Sequence, residues 1–135
     1  MLLLESGLRL AGFGYPTGFF LRREIEGQAC WIENARFGRR FFPPSLARTP
    51  GSLAIPVHKS TNTFRIFVLG ESAAMGDPLS NFGFSRMLDR LLQTRFPDRR
   101  FEVVNVAMTA INSHVILPIA RDCARLDGDL WVIYM

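Results

Sequence analysis

Phe64-Arg-Ile-Phe-Val-Leu-Gly-Glu-Ser-Ala-Ala-Met-Gly76 decides how this chain is read. A β-branched and aromatic run ends at Gly70, and a lone serine, Ser72, follows two residues later, with small residues and Gly76 behind it. The run is near-continuously apolar, so Arg65 to Leu69 reads as a strand covered on both faces, the habit of a parallel sheet. Open α/β sheets hold their ligands in the crevice outside the carboxyl ends of their strands, and Ser72 stands at such an end.

The pattern repeats downstream. Residues 70 to 79 read as a loop. Phe84, Met87, Leu88, Leu91, Leu92 and Phe96 fall at helical spacing, with Ser80 or Asn81 as the expected cap and Pro97 as the stop. Phe101 to Val106 is a second buried strand. Asn112 or Ser113 is expected to cap a second helix that turns Val115, Ile116, Ile119, Ala120 and Cys123 to one side. Pro118 lies inside that helix and should cost one backbone bond or shift its start. Asp129 to Met135 is a third apolar strand. Strand, helix, strand, helix, strand predicts an α/β fold with a parallel sheet. One sheet edge is then left unpaired and apolar, from which we expect the chain to be the front part of a longer protein.

Upstream, residues 12 to 60 lack sustained periodicity and are punctuated by glycine and proline from Gly12 to Pro56. Alternating pieces at Gln28 to Glu33 and Arg36 to Phe42 predict a hairpin. Phe41-Phe-Pro-Pro-Ser45 is expected to be extended, and His58-Lys-Ser-Thr-Asn-Thr63 reads as a polar linker. The expected division is therefore an irregular lead-in over 1–62 and the first part of an α/β domain over 63–135. Met1-Leu-Leu-Leu-Glu-Ser-Gly-Leu-Arg-Leu-Ala11 is apolar but short and has no basic region ahead of it, unlike a signal peptide. It reads equally as the outer end of a membrane helix or as an amphipathic helix packed on the domain.

Composition bounds the rest. At 135 residues, 48% hydrophobic and 21% charged, the chain suits one modest globular domain rather than a disordered one. The net charge of +4 is almost all arginine, since Lys59 is the only lysine, and the arginines are scattered rather than gathered in one stripe. A nucleic-acid partner is therefore not expected. Cys30 and Cys123 are far apart and lack a CxxC partner, so we expect two buried free thiols ahead of the alternative, one disulfide, with no zinc and no other metal.

Serine is a poor nucleophile at neutral pH and needs a base. Its position can still build part of a site. A tight turn after the strand exposes the Ser72 hydroxyl, and the Ser72 N–H can face a developing oxyanion. Gly70 permits the turn, while Ala73 and Ala74 leave room. Val103-Val-Asn-Val-Ala-Met-Thr-Ala-Ile-Asn112 forms a second loop of small residues beside it, with the Ala110 N–H as the second candidate donor. Gly70, Glu71 and Asn105 complete the candidate binding set, Asn105 being read chiefly as a tie for loop backbone. His114 reads as a helix-start residue and His58 as an exposed linker residue. No lysine follows Gly76 and no GxGxxG occurs, so a phosphate or nucleotide binder is the weakest reading. No cofactor is expected.

Gly70-Glu-Ser-Ala-Ala-Met-Gly76 resembles the first block of the SGNH/GDSL hydrolases. Val104-Asn-Val-Ala-Met-Thr-Ala110 is similar to their second block, and Leu130 to Met135 to the strand leading into their third. The lead-in Arg39 to Pro50 further resembles bacterial members with a membrane anchor ahead of the hydrolase domain. The resemblance covers roughly residues 36 to 135. It implies a flavodoxin-like three-layer αβα fold, represented here by its first three strands. It also implies serine ester hydrolysis through an acyl-enzyme, a small-molecule, carbohydrate or lipid ester as substrate, and a place at the bacterial cell envelope. Ser72 maps to the nucleophile and first oxyanion donor, Ala110 to the second donor where the family usually has glycine, and Glu71 to the usual aspartate. The family's third-block asparagine and its Asp-x-x-His pair are not among these residues, so the chain by itself is expected to be inactive. The alternative reading is a non-catalytic module that binds a ligand or polysaccharide on the same fold.

Overall fold

The apolar run becomes the middle strand of a parallel sheet, and the reason is burial. In the computed structural model, which describes residues 4, 6–8 and 14–135, six consecutive residues from Arg65 to Gly70 are buried. Strands β1 (Phe20–Ile25), β2 (Gln28–Glu33) and β3 (Ala54–Pro56) form an antiparallel sheet in that order. Strands β4 (Thr63–Gly70), β5 (Arg100–Asn105) and β6 (Leu130–Tyr134) form the parallel sheet, in the order β5-β4-β6. Helices α1 (Ser72–Met75), α2 (Phe84–Arg95) and α3 (Ser113–Cys123) accompany them. The fold is thus mixed α/β.

Side chains alternate across β4. Phe67 and Leu69 join Val104, Val115, Ile116 and Ile119 in a cluster beneath α3. Val68 turns the other way, to Ala74 and Ala107, with Phe84 of α2 packed against them. The two longer helices therefore cover opposite faces of the parallel sheet. Asn112 caps α3, its side chain accepting the His114 N–H at 3.1 Å. Pro118 does not shift the helix start. It removes the N–H that would have met the His114 carbonyl, and His114 is exposed, so water can take that carbonyl.

Several expectations change. The hairpin is β1 with β2, not residues 28–33 with 36–42; Phe37–Arg40 is instead a 3-10 turn. Its two-residue loop is Glu26-Gly27, both at positive φ (50° and 78°), as a twist-matched hairpin turn requires. β1 shows no alternation because its last four residues are exposed on an edge strand. Residues 70 to 79 are not all loop but contain α1. Neither Ser80 nor Asn81 caps α2: they lie in a 3-10 turn at Ser80–Phe82, and Gly83 stands at the cap with no side-chain bond. β5 is only partly buried, and β6 is largely exposed, with Ile133 at 59% and Tyr134 at 52%. Both flank β4 as edges of a three-stranded sheet, so an apolar sequence alone does not bury them.

The lead-in shares the core of the parallel sheet. Phe19, Phe37 and Ile55 lie in the same buried cluster as Phe67 and Ile119. Phe19 stacks edge-on to Phe20 and Phe37 at 4.9 and 5.1 Å, and its N–H donates to the Asp122 carboxylate of α3 at 2.8 Å. The Met1–Ala11 segment lies largely outside the described residues. Among the described residues no helix is long and apolar enough to cross a membrane.

One charge lies in this core. The Arg65 side chain is 1% exposed, and its guanidinium donates to Glu102 on β5 (2.6 Å), to the Leu126 carbonyl after α3 (2.6 Å) and to the Pro56 carbonyl at the end of β3 (3.2 Å). At the same end of the sheet, Asp129 accepts the Arg65 N–H (2.7 Å) and pairs with Lys59 (2.7 Å), tying the stretch before β4 to the start of β6.

Two outcomes follow for stability. Glu102→Ala leaves a buried guanidinium short of its counter-charge and should destabilise the fold by about 3 kcal/mol in urea unfolding. The hydrogen bond from Lys59, then the Arg65 N–H, holds the Asp129 carboxyl below its ordinary range. Because the folded value is the lower one, that stabilisation is complete above the unfolded value near about pH 4 and is lost as pH falls through the folded value. Asp129→Asn should therefore flatten the acid limb of a Tm-against-pH curve below about pH 4.

Candidate active site

The close approach of β6 and α1 makes Gly70 necessary. Gly70 pairs with Tyr134 across the sheet, and a Cβ there would strike the Tyr134 carbonyl oxygen and sit 2.6 Å from the Ala74 Cβ. The chain then turns through Glu71, in extended conformation, into α1. Gly76 closes that single turn in the left-handed region (φ 87°), its N–H donating to the Ser72 carbonyl at 2.9 Å. Ser72 is thus the first residue of α1 and is exposed at the carboxyl end of the middle strand. Amides in the first turn of a helix have no intrahelical acceptor, and among the described residues the Ser72 N–H has no other. Among the described residues its hydroxyl makes no hydrogen bond.

The second loop is fastened to the first by Asn105. Its Nδ2 donates to the Ala74 carbonyl (2.8 Å) and to the Ser85 hydroxyl (2.9 Å), while its Oδ1 accepts the Ala107 N–H (3.0 Å). Both amide protons and one oxygen lone pair are thereby committed to scaffold, so Asn105 sets the loops in place rather than presenting a donor to a ligand. Beyond it, the Met108 N–H reaches the Gly70 carbonyl at 3.2 Å, so the chain after β5 continues to track the end of β4.

Ala110 stands in the left-handed region, with φ 59°. It is exposed, and among the described residues its N–H has no backbone acceptor. Glu71 is half-buried; its carbonyl accepts the Met75 N–H at 2.9 Å, and among the described residues its carboxylate makes no hydrogen bond. The structure brings Gly70, Glu71, Ser72, Asn105 and Ala110 to one end of the parallel sheet. Among the described residues no histidine hydrogen-bonds Ser72. His114 is exposed at the start of α3 with its ring edge-on to Phe41, at 5.9 Å, and His58 is exposed at the opposite end of β4.

Two hollows adjoin this end. Ala73, Phe84, Val132, Ile133 and Tyr134 line an apolar one of about 410 Å³. Met75, Ser85 and Asn105, with the lead-in residues Gly51–Ile55 opposite, line a more polar one of about 370 Å³. Cys30 and Cys123 are buried and free. Burial, and then the adjacent Asp122 carboxylate, push the Cys123 thiol up to about 12, so it stays a neutral thiol at neutral pH. Among the described residues no group of three or more His, Cys, Asp or Glu side chains could hold a metal ion.

Residue pattern did not reveal two neighbours of the site. The Thr109 hydroxyl donates to Asp77 at 2.9 Å, and Ser85 is buried against Asn105. Nothing in the spacing of Thr109 or Ser85 distinguishes them from ordinary loop and helix residues. Comparison with known proteins finds no matching family model, no matching curated protein and no matching solved structure.

Backbone geometry here can be tested by exchanging side chains at two positions. Gly70→Ala should cost about 3 kcal/mol or more, because the new Cβ meets backbone that cannot move without opening the sheet. Ala110→Gly should be neutral or stabilising by up to about 1 kcal/mol, since a left-handed φ strains alanine and not glycine. Chemical denaturation of the two variants checks both.

Proposed function

We propose that this chain carries the nucleophile half of a serine ester hydrolase of the SGNH/GDSL type. The carrying observation is the exposed Ser72 hydroxyl at the carboxyl end of the middle parallel strand, beside the loop of Ala110; among the described residues neither that hydroxyl nor the Ala110 N–H has a hydrogen-bond partner. Strand order β5-β4-β6, counted from β4 as the first, is 2-1-3, the opening of the flavodoxin-like order, and helices on both faces fit its three layers. The resemblance of the segments at 70–76 and 104–110 to the first two family blocks supports the same reading.

In this mechanism the Ser72 oxygen attacks an ester carbonyl while its proton passes to a general base. The carbonyl oxygen takes negative charge, which the Ser72 and Ala110 amides are suited to receive. Collapse expels the alcohol and leaves an acyl-Ser72 ester, and water then releases the acid. Neither His58 nor His114 hydrogen-bonds Ser72. Loss of base and orienting acid costs on the order of 10⁴ to 10⁶ in well-studied serine hydrolases, so turnover by this chain alone is expected to be negligible. Glu71 where the family has aspartate and the methyl on Ala110 favour the second reading, a module of the same fold that binds a ligand without turnover.

A fluorophosphonate separates the two. Prolonged incubation should place a slowly formed adduct on the peptide containing Ser72, and Ser72→Ala should abolish it, as read by peptide mass spectrometry. Adducts spread over other serines, or equal labelling of Ser72→Ala, would overturn the nucleophile assignment and leave the binding module.

A further inference from the structure

Asn105 anchors only the base of the loop that follows β5. Its bonds reach Ala74, Ser85 and Ala107, and the tip at Thr109 to Ile111 lies beyond them. Ile111 is 5% exposed and held by the core, and Asn112 starts α3. Thr109 links the tip to α1 and the turn behind it. Its hydroxyl donates to the Asp77 carboxylate at 2.9 Å, with the Met75 sulfur 3.3 Å away. Asp77 in turn is fixed by its own N–H, which donates to the Ser72 carbonyl at 3.0 Å. An unbroken chain of contacts thus runs from Ser72 through Asp77 to Thr109 and on to Ala110. Ala110 sits between two tethered neighbours in a conformation that alanine adopts only when its surroundings impose it.

From this geometry we propose that Thr109 and Asp77 are positioning residues of the Ser72 site: their hydrogen bond holds Ala110 in its left-handed conformation and so sets its N–H relative to Ser72. The inference rests on the reading of Ser72 as nucleophile, but the clasp can be observed without any reaction. A loop released at Thr109 lets Ala110 relax toward negative φ, which turns its N–H. A serine at 109 retains the donor; a valine retains the shape and loses it.

The test uses the ¹⁵N-labelled chain and three variants. Thr109→Val and Asp77→Ala should each change the HN–Hα coupling of Ala110 and shift the Ser72 amide, and Thr109→Ser should restore both. The two losses should not add, because each breaks the same bond. The rate of fluorophosphonate labelling at Ser72 should fall about fivefold in Thr109→Val, the effect of one ordinary hydrogen bond, and recover in Thr109→Ser. Unchanged Ala110 coupling and Ser72 shift in both Thr109→Val and Asp77→Ala would overturn the clasp, whatever the labelling. Coupling that responds as expected, with no Ser72 adduct even in the parent chain, would instead overturn the nucleophile reading and with it any positioning role.

Discussion

A guanidinium cannot be buried in a sheet unless its donors are met, and the parallel sheet is organised around that requirement at Arg65. Its partners come from three separate parts of the chain: Glu102 on the neighbouring strand, the Leu126 carbonyl after α3 and the Pro56 carbonyl at the end of the lead-in. The planar, multi-donor head of arginine can serve three directions at once, which a lysine ammonium on its single stem does less well. Leaving any of these acceptors unpaired would carry the usual cost of a buried polar group, so lead-in, β5 and the approach to β6 are held in one arrangement. Lys59 and Asp129 reinforce the same end of the sheet from outside.

This division of labour leaves the opposite end free. At the amino end of β4 polar bonds and ion pairs lock the backbone; at the carboxyl end the chain departs in loops of small residues. Those loops are nevertheless ordered, because Asn105 spends its amide group on them and because the Met108 N–H continues the pairing with Gly70. A serine on a one-turn helix and an alanine in a left-handed turn are therefore presented by a rigid base, the condition under which exposed loop residues can hold a defined geometry.

The lead-in is part of the same body. Its aromatic residues Phe19, Phe37 and Phe41 stack edge to face, and Phe19 and Phe37 are fully buried against the α3 side of the sheet. Asn34, 3% exposed, donates to the Pro16 and Gly18 carbonyls and accepts the Arg36 N–H, so a glycine- and proline-rich stretch acquires a fixed path without regular structure of its own. Burial of Phe19 and Phe37 belongs as much to the stability of the parallel sheet as to the hairpin.

The alternation of β4, α2, β5, α3 and β6, the burial of β4, a cap for α3 at Asn112 or Ser113 and the position of Ser72 at a strand end were legible in the amino-acid sequence, because periodicity and capping residues are local properties; the single turn α1 was not. Pairing of Phe20–Ile25 was not legible: an edge strand exposed on its last four residues carries no alternation. Nor was the exposure of β6, since an apolar strand reads alike whether or not a neighbour covers it. Sequence by itself determined the main strands and the two longer helices from β4 onward, and that a serine follows the end of β4. Only tertiary structure decided that Arg65 is buried, that Thr109 meets Asp77 and that Ala110 is left-handed, because each depends on groups brought together from distant parts of the chain, which local residue preferences do not encode.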